Sequence, residues 1–192
     1  FRSTGVSGKS AVDVARELLV RCGSLWALCN GRENEVCELP GMGRAKYAQL
    51  LAVMEIARRS LKEKLVTGNA LNSPSAVRDY LRMRLQALPH EVFVVLFLDA
   101  QNRVLTSEEM FRGTLTQTSV YPREVVKRAL EVSATAIILV HNHPSGDPTP
   151  SRADIEMTQS IVEIAKPMGI SVHDHIIVGK EGHASLKGLK LI

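Results

Sequence analysis

Ala134-Thr135-Ala136-Ile137-Ile138-Leu139-Val140-His141-Asn142-His143 is apolar and rich in β-branched side chains as far as Val140, then changes character. Such a run is a buried strand that ends at His141. On a strand, positions i and i+2 point to the same side, so His141 and His143 can aim their imidazoles at one point. A turn-rich loop, Pro144-Ser145-Gly146-Asp147-Pro148-Thr149-Pro150, follows. Ser151 then stands where a helix cap belongs, and Ile155-Glu156-Met157 continue at helical spacing. Asp154 falls in the first turn of that helix, where the loop can fold it back onto the two histidines. Two neutral ring nitrogens and one carboxylate oxygen suit a borderline metal such as zinc. Three protein ligands leave a fourth position for water, the catalytic rather than the structural arrangement. The plainer alternative is a pair of surface histidines beside a helix-capping serine and aspartate.

His-x-His, seven residues, Ser, two residues, Asp is the signature of the JAMM (MPN-plus) metal hydrolases. The fuller string His141-Asn142-His143-Pro144-Ser145-Gly146-Asp147-Pro148-Thr149-Pro150-Ser151-Arg152-Ala153-Asp154 resembles the bacterial RadC family, described as DNA repair proteins. The resemblance extends to Gly113-Thr114, to Gln117-Thr118-Ser119-Val120-Tyr121-Pro122-Arg123-Glu124-Val125 and to Asp174-His175, and covers nearly the whole chain. It implies one zinc ion per chain, held by His141, His143 and Asp154. It also implies a glutamate near the start of the first sheet strand, beside the metal's water. Glu91 matches that position best, with Glu108, Glu109 and Glu124 as rivals. Ser151 would donate a hydrogen bond to the oxyanion of a tetrahedral intermediate. The resemblance further implies cleavage of peptide or isopeptide amides, a protein or peptide substrate and an association with DNA repair.

The chain has 192 residues, 45% of them hydrophobic and 23% charged, enough for one large domain or for a small and a medium one. No apolar run approaches the ~18 residues of a membrane span. No basic-then-apolar start resembles a signal peptide. The chain begins at Phe1 rather than Met, and RadC-like proteins carry more sequence ahead of this point, so a missing natural N-terminus is expected. Cys22, Cys29 and Cys37 are odd in number and not spaced as a zinc knuckle or a redox pair. Free thiols in a reducing compartment, and a cytoplasmic location, follow. Residues 1–66 hold 11 Lys/Arg and 7 Asp/Glu, whereas residues 67–192 hold 13 of each, so the net charge of +4 belongs to the N-terminal part.

That part reads as helical. Gly8-Lys9-Ser10 suggests a phosphate loop but fails the test, because the position of the first glycine is Ser3 and no strand precedes it. Ser10 instead caps a helix through Val12, Val14, Ala15, Leu18 and Leu19, stopped by Gly23. Ser24 to Leu28 form a second short helix, with Trp26 expected in the core rather than as a base-stacking platform. Leu39-Pro40-Gly41-Met42-Gly43, followed by a long helical pattern, resembles a helix-hairpin-helix element. There Gly41 and Gly43 would expose backbone N–H groups to a DNA phosphate, with Arg44 and Lys46 adding charge. Tyr47 departs from the pattern, since a small residue is usual at its place. A plain αα-hairpin for protein contacts is the alternative.

Expected boundaries are 1–66 for this helical domain, 67–74 for a linker and 75–192 for a JAMM-like domain. The latter reads as helix, two strands, a strand or loop over Thr114–Ser119, helix, strand, helix, strand. That is a mixed α/β domain, with helices packed on a curved mixed sheet as the resemblance implies. Strands are placed at Glu91–Asp99, from Val104, and at Ile170–Gly179. His173 and His175 are again two apart. A second metal pair is conceivable, but one of the two is expected instead to face the core or to back the site, with Asp174-His175 orienting groups near it. His183, in a glycine-flanked turn, reads as surface, with a short edge strand after it. Two other functions remain open at this stage. One is a DNA-binding phosphodiesterase. The other is a non-catalytic DNA-binding adaptor whose structural metal takes a fourth ligand from Asp174, His173 or His175.

Overall fold

The computed structural model describes residues 8–67, 74–113, 120–180 and 182–192. The expected segment Thr114–Ser119, most of the linker and Glu181 lie outside them. The chain divides into two compact units, residues 1–59 and 60–192. The division falls inside a 24-residue helix, α4 (Arg44–Thr67). Thr67, the first residue of the expected linker, is therefore still helical. Pro74, the last, opens α5 (Pro74–Leu85), which also takes in Ser75.

In the first unit, α1 (Ala11–Cys22) opens with a capping box in which Ser10 and Asp13 exchange side-chain-to-backbone hydrogen bonds. It ends at Gly23, whose φ of +78° a side chain would resist. α2 (Leu25–Asn30) is capped by the Ser24 hydroxyl. α3 (Glu33–Cys37) was not foreseen, because five residues carry too little periodicity to register. Val14, Leu18, Leu28, Val36 and Leu50 form the core of this unit. Trp26 corrects the expectation: it is 43% exposed, because the single turn and a half of α2 buries only Leu28. The cysteines are free, as their spacing suggested.

The second unit is three-layered. Its five-stranded sheet runs β2-β1-β3-β4-β5, from β1 (Val92–Leu98), β2 (Val104–Arg112), β3 (Ala136–Asn142), β4 (Ser171–Val178) and β5 (His183–Ser185). Among the described strands only β3 and β4 are parallel, joined across α7 (Arg152–Ala165), so the sheet is mixed and open-edged. β1 and β3 are buried over their whole length, which explains their unbroken apolar runs. Alternate residues serve opposite layers. Val92, Val94, Leu96 and Leu98 pack with Ala136, Ile138 and Val140 against α5. Phe93, Val95 and Phe97 pack with Ile137 and Leu139 against α7 and α6 (Pro122–Glu131). This period of two carries His141 onto the α7 side and Asn142 onto the α5 side.

Asn142 there ties β3 to the start of β1. Its Oδ1 accepts the Val92 N–H at 2.8 Å and its Nδ2 donates to the His90 carbonyl at 3.0 Å. Asn142→Ala would strand a buried backbone N–H, so a loss of about 1–3 kcal/mol is expected in urea denaturation. A change below about 0.5 kcal/mol would show that this tie contributes nothing. Among the described residues, no helix is long and apolar enough to cross a membrane.

Candidate metal centre

β3 ends where the chain must turn, and the loop after it is held back against β4. The His143 N–H donates to the Val178 carbonyl at 3.0 Å, and the Lys180 N–H donates to the Gly146 carbonyl at 2.9 Å. Gly179 permits this approach, since a Cβ there would collide with the Gly146 carbonyl and Pro148. The loop thus delivers Ser151 to the start of α7. The Ser151 Oγ accepts the Asp154 N–H at 3.2 Å, and its hydroxyl and N–H donate to Asp154 Oδ2 at 2.6 and 2.7 Å. This capping box fixes the Asp154 carboxylate.

His141, His143 and Asp154 consequently converge. His141 Nε2 lies 2.9 Å from His143 Nε2 and 3.2 Å from Asp154 Oδ1, and His143 Nε2 lies 3.5 Å from Asp154 Oδ2. Ligand atoms bound at ~2.0–2.2 Å to a tetrahedral ion are separated by ~3.3–3.6 Å. Movements of a few tenths of an ångström would therefore seat an ion, and the donor set is one that zinc accepts. Among the described residues, these three are the group of histidine, cysteine and carboxylate side chains that could hold a metal.

Electrostatics favour a cation here. The pKa of His143 is raised, chiefly by its hydrogen bond to Asp154 and against the effect of burial, with the Asp147 carbonyl and the charges of Asp154 and Glu91 adding. Burial works to raise the pKa of Asp154. Contacts with His141 and His143 outweigh it, so the carboxylate stays charged well below its usual range. A metal must displace the proton that His143 holds. The group is protonated below its raised pKa, so metal affinity is expected to fall there by ~10-fold per pH unit and to level off above it. Chelator competition across pH would check this, and a flat profile would contradict it.

Glu91 immediately precedes β1, and its charge bears on His143. The three rivals are engaged by arginines. Glu108 takes a two-point contact from Arg128 at 2.8 and 2.9 Å, Glu109 pairs with Arg112 at 2.8 Å and Glu124 with Arg123 at 3.2 Å.

His175 is fully buried, with Nε2 at 2.8 Å from His141 Nδ1 and Nδ1 at 2.6 Å from Thr158 Oγ1. Burial pushes its pKa well down, so it is neutral. Phe93 walls this pair, stacked on His141 and edge-on to His175. The readings of Asp174 and His183 are corrected. Asp174 accepts from the Ser185 hydroxyl and from the His175 and Lys187 N–H groups, which brings β5 rather than the centre into line. His173 sits at a register shift and contacts Asn102 at 2.7 Å. His183 is exposed but begins β5 instead of lying in a turn. Thr158 escaped notice because nothing in the sequence marks it.

In the first unit, Gly41 has a φ of +79° and Gly43 precedes the first turn of α4. Lys46 Nζ donates to the Gly41 carbonyl at 2.6 Å, and Arg44 lies 3.4 Å from Glu33. Both cations are turned to groups of their own unit, so a phosphate at this turn would have to draw them away.

A mixed sheet whose middle strand ends in two histidines that meet an aspartate from the next helix is the architecture of a JAB-type domain. Comparison with known families agrees. The RadC-like JAB domain matches residues 71–191, and the UPF0758 N-terminal model matches residues 2–48. The chain belongs to the UPF0758 family of RadC-like JAB-domain proteins. A UPF0758 protein of Nitrosomonas eutropha is 54% identical over all of this chain and 86% of its own length. Those of Nitrosospira multiformis and Thiobacillus denitrificans are 55% and 57% identical, over 94% and 93% of this chain and 80% of each relative.

Proposed function

We propose that this protein is a zinc-dependent hydrolase that cleaves peptide or isopeptide amide bonds. The observation that carries this reading is the convergence of His141, His143 and Asp154 at separations of 2.9 to 3.5 Å. Their number matters as much as their spacing. Structural zinc takes four protein ligands and catalytic zinc three. The candidates for a fourth on β4 are otherwise engaged: both ring nitrogens of His175, the Nε2 of His173 and both carboxylate oxygens of Asp174 have partners. This favours the hydrolase over an adaptor with a structural metal.

When bound, zinc would lower the pKa of a coordinated water from ~15.7 to ~7. Glu91 would take a proton from water at the site and deliver it to the departing amine, which otherwise leaves as a poor anion. The Ser151 hydroxyl would turn from Asp154 Oδ2 to donate to the carbonyl oxygen as negative charge builds there. The Ser151 N–H bond to Asp154 would remain and keep the carboxylate in place.

The test compares zinc-loaded with chelator-treated protein on labelled peptides, isopeptide-linked substrates and DNA structures. The expected result is amide cleavage that the chelator abolishes and added zinc restores. Zinc-dependent cleavage of DNA with no amide cleavage would replace this reading by a phosphodiesterase. Against that outcome, the cluster offers donors for one ion, whereas nucleases often use two ~3.5–4 Å apart.

A further inference from the structure

We propose that His175 and Thr158 are positioning residues that hold His141 in its metal-binding tautomer, through a hydrogen-bond chain that starts on the backbone of Asp154. The inference rests on the metal reading above, but its logic is one of proton direction. Thr158 Oγ1 lies 2.5 Å from the Asp154 carbonyl oxygen. A carbonyl can only accept, so the single hydroxyl proton of Thr158 points there. Thr158 Oγ1 must then accept at its 2.6 Å contact with His175, which places the proton of His175 on Nδ1. His175 is fully buried with both ring nitrogens against uncharged partners, a hydroxyl and an imidazole, so it holds one ring proton and Nε2 is bare. At 2.8 Å that nitrogen accepts from His141 Nδ1–H, so His141 Nε2 is the nitrogen left to face Asp154 and a metal. That Nε2 faces Asp154 Oδ1 at 3.2 Å.

The chain leaves Asp154 through its carbonyl and returns to its carboxylate through His141. Three elements are involved: α7 supplies Asp154 and Thr158, β4 supplies His175 and β3 supplies His141. One turn of α7 therefore sets both the carboxylate ligand and the tautomer of the imidazole opposite it. His143 is set separately, since its Nδ1 lies 2.8 Å from the Asp147 carbonyl and must donate there. Both histidines thus present Nε2, and neither can rotate its other nitrogen away without orphaning a partner. For the fully buried His175 and Thr158, such a loss is costly.

The experiment uses the full chain with 15N-labelled histidines, first free of metal and then titrated with Co2+. In the wild type, long-range 1H–15N spectra should show His141 protonated at Nδ1. Thr158→Val keeps the branched shape but removes the hydroxyl, so His141 should become a mixture of tautomers. Its Co2+ affinity, read by chelator competition and the visible absorption of the bound ion, should fall by ~10–100-fold. Thr158→Ser should restore both. His175→Phe should weaken Co2+ binding similarly. His175→Gln, whose amide oxygen can accept from His141 Nδ1–H, should recover part of it. An unchanged His141 tautomer and a Co2+ affinity within twofold of wild type in Thr158→Val would overturn the proposal. Wild-type protein that takes up no Co2+ would instead overturn the metal reading, and the His141 tautomer in that metal-free protein would still decide the relay.

Discussion

Replacing Glu91 by Gln should leave one zinc bound with near wild-type affinity and slow amide hydrolysis by ~100- to 10,000-fold, the usual worth of a positioned general acid–base group. Glutamine has nearly the shape of glutamate but cannot accept a proton at neutral pH. Glu91 lies at the mouth of β1, its charge felt at His143, yet outside the three-residue cluster itself. Rate and metal content should therefore separate. The control is Glu108→Gln, which loosens the Arg128 pair between β2 and α6 but should keep the rate. Should Glu91→Gln lose zinc, or should it hydrolyse as fast as wild type, the assignment of Glu91 is wrong.

The other large effect concerns the ligands. His141→Ala, His143→Ala and Asp154→Asn should each weaken zinc binding by more than the ~10–100-fold typical of losing an outer-shell partner. Asparagine is chosen because its amide oxygen can still receive the Ser151 N–H and keep the start of α7 in place. Ligand-linked stability gives an independent reading. At a free zinc concentration 1,000 times the dissociation constant, the wild type should gain ~4 kcal/mol, and the three variants less than ~1.5 kcal/mol at that same concentration. A variant that gains as much as the wild type would remove its residue from the ligand set.

The sheet and the cluster were legible in the sequence for one reason. β3 is buried on both faces, so it is written as an unbroken apolar run, and the first polar residues after it are the ones that matter. Ser151 and Asp154 were legible too, because a capping box has a fixed spacing and the same spacing brings the carboxylate forward. His175 could be placed near the centre only by resemblance. Its partner Thr158 could not be placed at all, because their hydrogen bond joins α7 to β4 and depends on packing rather than on local pattern. Asp174 was misjudged for the complementary reason, and His173 could not be told apart from His175. A register shift between β3 and β4 sends His173 toward Asn102 and Asp174 toward β5. In the first unit, α3 is too short for periodicity, and the exposure of Trp26 follows from how little a six-residue helix can cover.

Metal analysis of the purified protein, combined with X-ray absorption at the zinc edge, bears most directly on the central claim. The account predicts one zinc per chain, bound by two imidazoles and a carboxylate oxygen, with a further oxygen from solvent. Protein that binds no zinc at stoichiometric concentration, or a zinc whose four ligands all come from the chain, would contradict it.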